Sequence, residues 1–473
     1  MRIGFGPFEP DKPELDTGVT RVATNVFPGP GSFRPVPGPA PYSDALSAAP
    51  RGLWLARTTA GDNDVYAATQ TTLEKLVGTA WTAIGSSLSV PTDDNWGGAQ
   101  FGTTFYFTNQ TDDLLSFDIE AGSAVAAVGG AAPNAKFLDV VGSYVMAGNL
   151  AADPGGVAWS DTEDGSTWSG GNSGGQSFKD GGHVVGILGA AHAIVQEYAI
   201  RDIIDDPGGD IFQFNKIEQA KGAIAPASVI RFGKAFGYLA EDGFWFAGEP
   251  IGQNKVNRYF LETANADQLF QTMGILDPYR PLLHWMYRTT ATAVYDLALT
   301  YNWASGEWST WEPDAYFAAA AATPGLTLEA LSALYPDLET VPYSLDSRVW
   351  QGGRPVFAVI DADFKLAFLE GDNLEATIET GERNLVQGYR SRLLAAAPVV
   401  DTSAAVMAVR TRERLGDATV WSSEKSQQTS GVCKFNHGGR LHRFRLRVPA
   451  AESWTHAQGI EIPEGGLIRQ GGR

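Results

Sequence analysis

The sequence predicts an all-β protein: a six- or seven-bladed β-propeller with an extended N-terminal arm and a C-terminal β-sandwich domain. Three observations predict it. From about residue 50 the chain is a succession of short β-branched and aromatic runs broken by Gly, Asp and Asn, the pattern of many short antiparallel strands. Similar strand cores recur at spacings close to those of propeller blades, roughly 40–50 residues. Finally, the charge changes sign near residue 375.

Residues 1–50 carry ten prolines, in runs such as FPGPGSF (27–33) and VPGPAPY (36–42), so neither a helix nor a continuous ladder is expected there. Phe5, Phe8, Val22, Val26, Phe27 and Phe33 are too many apolar residues for a free linker. The segment is therefore expected to lie as an arm on another surface.

Residues 51–375 are assigned to the propeller. Seven cores align: VYAA (65–68), TFYF (104–107), SYVM (143–146), HAIV (192–195), FGYL (236–239), LHWM (283–286) and VFAV (356–359). Their starts are 39, 39, 49, 44, 47 and 73 residues apart. The last interval holds an insertion near 313–350, in which an amphipathic helix is expected over 326–334, after Thr323 and Pro324. A second recurring element is a tight turn delivering a tryptophan, as at Gly78–Trp81, Asp164–Trp168 and Ser305–Trp308. Such a turn would join the outer strands of a blade, with the indole filling the wedge between blades. Two successive β-sandwiches are the competing architecture, since irregular spacing is not unique to propellers.

Residues 376–473 hold 14 basic and 9 acidic side chains, net +5, which leaves 21 against 45, net −24, for residues 1–375. Alternation sets Arg410, Arg412 and Arg414 on one face of a strand over 406–415, and Arg443, Arg445 and Arg447 opposite Phe444, Leu446 and Val448 on another. Three arginines at every second position repel one another unless they face an acidic partner or phosphate. They are the candidate partner-docking residues. A solvated face with local Glu pairing and direct contact with DNA are the other readings. If the rows dock, replacing Arg443, Arg445 and Arg447 by Glu should weaken assembly while the isolated chain stays folded.

Several function classes are disfavoured. Fifty-four acidic against 35 basic residues give a net charge of −19, which argues against a conventional nucleic-acid binder but not against a protein past which DNA slides. No run approaches the ~18 apolar residues of a membrane-spanning helix. The first residues lack the cationic start and apolar core of a secretory signal, and the lone Cys433 has no nearby His or Asp, so synthesis in a reducing cytoplasm and an inert thiol are expected.

The run SDTEDGSTW (160–168) resembles the Asp box of sialidase-type propellers, a structural turn, with Glu163 and Asp161 departing from the pattern. Asp202, Asp205, Asp206 and Asp210 flank Pro207-Gly-Gly209 and read first as a hairpin tip rather than a calcium loop. The six histidines, His183, His192, His284, His437, His442 and His456, form no zinc pattern, and no Walker loop, GxSxG elbow or glycosidase carboxylate pair stands out. The expectation is a non-enzyme without catalytic residues, metal or cofactor.

Taken together, the arm with NVF (25–27) and FRPVPG (33–38), the run EDGFWFAG (241–248) followed by PIG (250–252) and KVNR (255–258), and GRLHRFRL (439–446) before WTHAQG (454–459) resemble the tail nozzle, or hub, of short-tailed bacteriophages, also called the packaged-DNA stabilisation protein. The resemblance implies a structural virion protein: a propeller that assembles as a homohexameric ring below the portal and adaptor, continues the DNA channel, retains the packaged genome and docks fibres or spike. Double-stranded DNA would pass through without sequence-specific binding, and the chain would assemble in the host cytoplasm into the virion tail. A propeller that binds or degrades glycans is the alternative, and a place on the side or tip of a long tail is a third.

Overall fold

The computed structural model describes residues 1–15, 18–206, 208–322, 332, 335–337, 339, 341 and 355–470. Antiparallel meanders succeed one another over residues 52–373. Six form separate four-stranded sheets in a β-propeller arrangement: residues 52–85, 97–127, 135–177, 184–219 and 230–250, and a last set of Ala315–Ala321, Val356–Asp361 and Lys365–Asn373 completed by Pro37–Ala45. A further meander of the same order, Met273–Leu276, Leu282–Tyr287, Leu297–Asn302 and Glu307–Trp311, precedes the last set but belongs to a nine-stranded sheet.

The first strand of each meander lies at the axis, next to the first strands of its neighbours. Gly97 permits one such approach, since a methyl there would come within 2.7 Å of the Lys136 carbonyl oxygen in the next meander. Where the fourth and fifth meet, the Arg231 guanidinium donates to the Ile187 carbonyl at 3.2 Å.

All seven predicted cores fall on the second strand of a meander, such as Asn63–Ala68, Thr104–Thr108 and Val356–Asp361. These strands are buried on both faces, which is why they read as continuous apolar runs rather than as alternating ones. Trp168 lies in the connection between third and fourth strands, and Trp81 and Trp308 just after it, on the fourth strands. Each reaches the neighbouring meander: Trp81 donates to Ser43 Oγ at 3.0 Å, Trp168 joins Tyr106 and Leu114, and Trp308 lies 5.5 Å from the Phe244 ring.

Residues 1–50 are strands inside three sheets. Arg2–Gly4 pairs with Ala457–Glu461, Val26–Gly29 and Ser32–Pro35 form a hairpin beside that same strand, and Thr20–Thr24 lies between Glu307–Trp311 and Ala376–Thr380. The expectation that prolines forbid a ladder is corrected by Pro37–Ala45, the outer strand of the last propeller sheet. There Pro37, Pro39 and Pro41 stand opposite Asn373, Leu369 and Ala367. Proline at every second position of an edge strand removes only N–H groups that point away from the neighbour, so the ladder survives.

The insertion also starts later than expected, because Ala315–Ala321 is itself a propeller strand. The helix expected over 326–334 lies outside the described residues apart from Ser332. After Lys365–Asn373 ends the propeller, Ala376–Thr380 opens the C-terminal strands, at the predicted change of charge. These strands build two sheets: one joins Arg390–Val400, Cys433–Gly439, Ala457–Glu461 and Leu467–Gln470 to N-terminal strands, and the other continues from Glu307–Trp311 through Thr20–Thr24, Ala376–Thr380, Leu441–Val448 and Val406–Arg412 to Lys425–Ser426. One apolar cluster lies across both, including Leu393, Phe435 and Ile460 from the first and Ile378, Met407, Phe444 and Leu446 from the second.

Asn25 ties these parts together. Its φ of 58° lies in the left-handed region, and its N–H donates to the Thr310 carbonyl at 2.8 Å. Its side-chain oxygen accepts from the Glu312 N–H at 2.9 Å, while the amide donates to Glu312 Oε2 at 3.0 Å and to the Glu375 carbonyl at 2.9 Å. Asn tolerates positive φ better than other residues with a β-carbon, and each buried hydrogen bond contributes about 1 kcal/mol. Asn25→Ala is therefore expected to lower unfolding free energy by about 2–3 kcal/mol, and Asn25→Gly by less, since glycine relieves the backbone. Urea titrations in which alanine matches or exceeds glycine would contradict this.

Candidate functional site

First strands, the connections leading into them and the loop between Leu282–Tyr287 and Leu297–Asn302 line a half-open axial cavity of about 580 Å³. Six of the seven meanders contribute to its lining, which combines Arg51, Trp54, Asp93, Asp94, Arg288 and Tyr295 with side-chain amides. The two carboxylates are engaged: Gln271 Nε2 donates to Asp93 Oδ1 at 3.1 Å, and Lys136 pairs with Asp94. Arg288 donates to the Ala293 carbonyl at 2.8 Å and to Gln271 Oε1, both neutral acceptors, and its guanidinium lies 4.7 Å from the Tyr295 ring centroid. Arg51 makes no side-chain hydrogen bond or ion pair among the described residues. Burial, and then the charge of Arg288, push its guanidinium down from the ordinary value. Trp54 is half-buried over Gly98, where a methyl would sit 2.8 Å from the indole nitrogen.

The arginine rows lie elsewhere, on the second C-terminal sheet. Their repulsion is severe, since Arg410 stands directly opposite Arg443. Relief comes from within the chain. Glu382 takes Arg410 at 3.1 Å and Arg412 at 2.5 Å; Glu379 takes Arg443 at 2.5 Å and Arg445 at 2.6 Å; Arg447 pairs with Glu375 at 2.7 Å and with Glu424. Glu14 adds a second partner to Arg412, whose hydrogen bond holds the Glu14 carboxyl below its usual range. Trp421 covers the row, its ring 4.2 Å from Arg445 and 5.4 Å from Arg410.

Arg414 is outside this network, because the strand ends at Arg412. It occupies an exposed turn where Asp417 accepts its backbone N–H at 2.8 Å. The side chain of Glu379 is only 6 % exposed, so glutamates at 443 and 445 would face a buried carboxylate, and one at 447 would face the more exposed Glu375 and Glu424. On this geometry the same substitutions are expected to unfold the C-terminal sheet, not to leave the isolated chain folded.

The remaining sequence candidates are structural in their placement. The Asp-box-like turn joins third and fourth strands of the meander over 135–177, and Asp164 accepts from the Ser166 N–H at 2.8 Å and from its hydroxyl at 2.6 Å. Those bonds, the hydroxyl first, lower the Asp164 carboxyl. Asp202, Asp205, Asp206 and Asp210 lie on the hairpin of Ala199–Asp206 and Ile211–Gln219, where Gln213 donates to Asp206 at 2.6 Å. No cluster of three or more His, Cys, Asp or Glu placed to hold a metal occurs among the described residues. Cys433 is buried, and burial pushes its thiol up to about 11.

No protein-family model and no curated protein matches the chain. Among solved structures, it is similar to a chain in the crystal structure of the mitotic checkpoint complex, with 10 % identity over 70 % of this chain and 93 % of that one, at a TM-score of 0.36. It is likewise similar to the computationally designed Ika8 protein, with 10 % identity over 75 % and 98 %, at 0.36. The third is the dihydro-heme d1 dehydrogenase NirN in complex with DHE, with 12 % identity over 73 % and 72 %, at 0.36. At such distances these likenesses carry no functional argument.

The axial cavity was invisible to the sequence reading. Its residues are dispersed from Arg51 to Phe317, and only the arrangement of meanders brings them together. The glutamates that answer the arginines did leave a signal in EATIETGE (375–382), where Glu375 and Glu379 are four residues apart on a strand.

Proposed function

We propose that this chain is a structural virion protein, the nozzle or hub ring of a short phage tail, which continues the DNA channel and retains the genome. The observation that supports it best is the nine-stranded sheet running from the axial strand Met273–Leu276 to Lys425–Ser426, which fastens the propeller to the C-terminal strands. A channel wall under pressure needs such a single stiff body. We infer further that the C-terminal strands, with those of residues 1–35, form a sandwich-like second unit, and that the −24 of residues 1–375 faces passing DNA and repels phosphate. Portal or adaptor proteins above and fibres or spike below would be the partners, with the virion tail as the location.

Electron microscopy of the purified chain tests this reading: a six-fold ring with an axial opening is the expected result. A monomer at all concentrations, or a bore wall that maps as neutral or basic, would overturn it. The axial cavity, with its half-buried tryptophan, charged groups and amides, favours a second reading, a propeller that binds glycans. Retention of the chain on immobilised host polysaccharide would support that one.

A further inference from the structure

Three arginines line the axial cavity: Arg231 pairs with Asp139 at 3.5 Å, while Arg51 and Arg288 are ion-paired with no carboxylate among the described residues. Of the carboxylates on the same wall, Asp94 is paired with Lys136, whereas Asp93 accepts from the neutral Gln271 amide and keeps its charge. Two guanidinium groups against the single uncompensated carboxylate of Asp93 leave this partly desolvated space net positive, which suits an oxyanion, and the planar fork of arginine suits a carboxylate. A second need is for hydrogen-bond donors. Gln268 Oε1, in the cavity lining, is buried without a partner among the described residues. A bare anion cannot satisfy a carbonyl oxygen, whereas a hydroxyl can. The third component is apolar: the half-buried indole of Trp54 offers a flat surface of the kind on which a sugar ring can rest.

We propose that the axial cavity binds a carboxylated sugar, with the carboxylate between Arg51 and Arg288, hydroxyls toward Gln268 and the ring against Trp54. The volume of about 580 Å³ lies within the range of small-ligand sites and accommodates one or two sugar rings. The inference deepens the saccharide reading of this cavity and is independent of ring assembly.

Calorimetric titration of the full chain with glucuronate, glucose and inorganic phosphate tests it. Saturable glucuronate binding is expected, with glucose and phosphate each at least ten-fold weaker. Arg51→Gln should weaken glucuronate at least ten-fold, and Arg51→Lys should recover part of that loss, both with an unchanged melting curve. Arg51 is the position to vary because Arg288 also supports its own loop. No glucuronate binding, equal binding by Arg51→Gln, glucose as tight as glucuronate, or phosphate as tight as glucuronate would each overturn the proposal. Retention on a neutral polysaccharide without glucuronate binding would overturn it while leaving the broader saccharide reading in place.

Discussion

Replacing Glu382 by glutamine is expected to lower the unfolding free energy by about 3–5 kcal/mol, the usual cost of removing one partner from a buried ion pair. Its side chain is 2 % exposed and takes both Arg410 and Arg412, so a neutral amide leaves Arg410 without a paired carboxylate and Arg412 with Glu14 alone, in a poorly solvated sheet face. Glu379→Gln should behave alike through Arg443 and Arg445. The loss would come from the uncompensated charges and not from shape. A triple variant, Glu382→Leu with Arg410→Met and Arg412→Met, is therefore expected to regain at least half of it. Chemical denaturation of the single and triple variants reads the difference, and a triple variant no more stable than Glu382→Gln would contradict the account.

The second large effect is with pH. His284 and His442 are fully buried, and burial holds their imidazoles down to about 3 and about 4, with the charges of Arg280 and His437 as lesser causes. His284 Nδ1 lies 2.8 Å from Thr300 Oγ1 and accepts from the Trp311 indole N–H at 3.3 Å, while the Phe357 ring centroid is 4.8 Å away. A proton at Nδ1 would oppose the indole donor.

In the unfolded chain both histidines titrate near 6.5, so below that pH the unfolded state binds more protons than the folded one. Stability is thus fully present above about pH 6.5 and is lost as pH falls toward 4 and then 3. The expected slope is about 1.4 kcal/mol per pH unit for each histidine. Both ring nitrogens of His442 lack a partner among the described residues, so His442→Leu should flatten this slope without weakening the protein at pH 7. An unchanged slope in urea titrations between pH 6.5 and 4.5 would overturn the prediction.

Much of the propeller could be read from the residues because its second strands are buried on both faces. Val65–Ala68 and Val356–Val359 announce themselves as apolar runs, and Trp81, Trp168 and Trp308 mark the outer turns. What escaped reading depends on long-range pairing. The prolines of 36–42 signalled a broken ladder, yet their spacing of two suits an edge strand whose neighbour lies at 365–373. The arginines of 443–447 signalled a need for negative charge, and for Arg443 and Arg445 it is supplied by Glu379, more than sixty positions away. Nothing local in Arg51 or Arg288 marks them as sharing a cavity.

The strand Pro37–Ala45 also determines when the molecule can finish folding. It pairs with Lys365–Asn373, with Ala45 opposite Lys365, so the propeller sheet that it completes joins segments about 320 residues apart. A loop that long closes slowly, because its entropy is lost before any contact rewards it. During synthesis the first fifty residues must wait, with Phe5, Phe8 and Phe33 unburied, until nearly the whole chain has left the ribosome. Refolding should therefore show a late phase, retarded by dilute denaturant, in which the N-terminal strands acquire amide-exchange protection together with Lys365–Asn373. Joining the chain ends and reopening the chain after residue 46, which brings Pro37–Ala45 nearer in sequence to Lys365–Asn373, should shorten that phase more than any substitution within the strand.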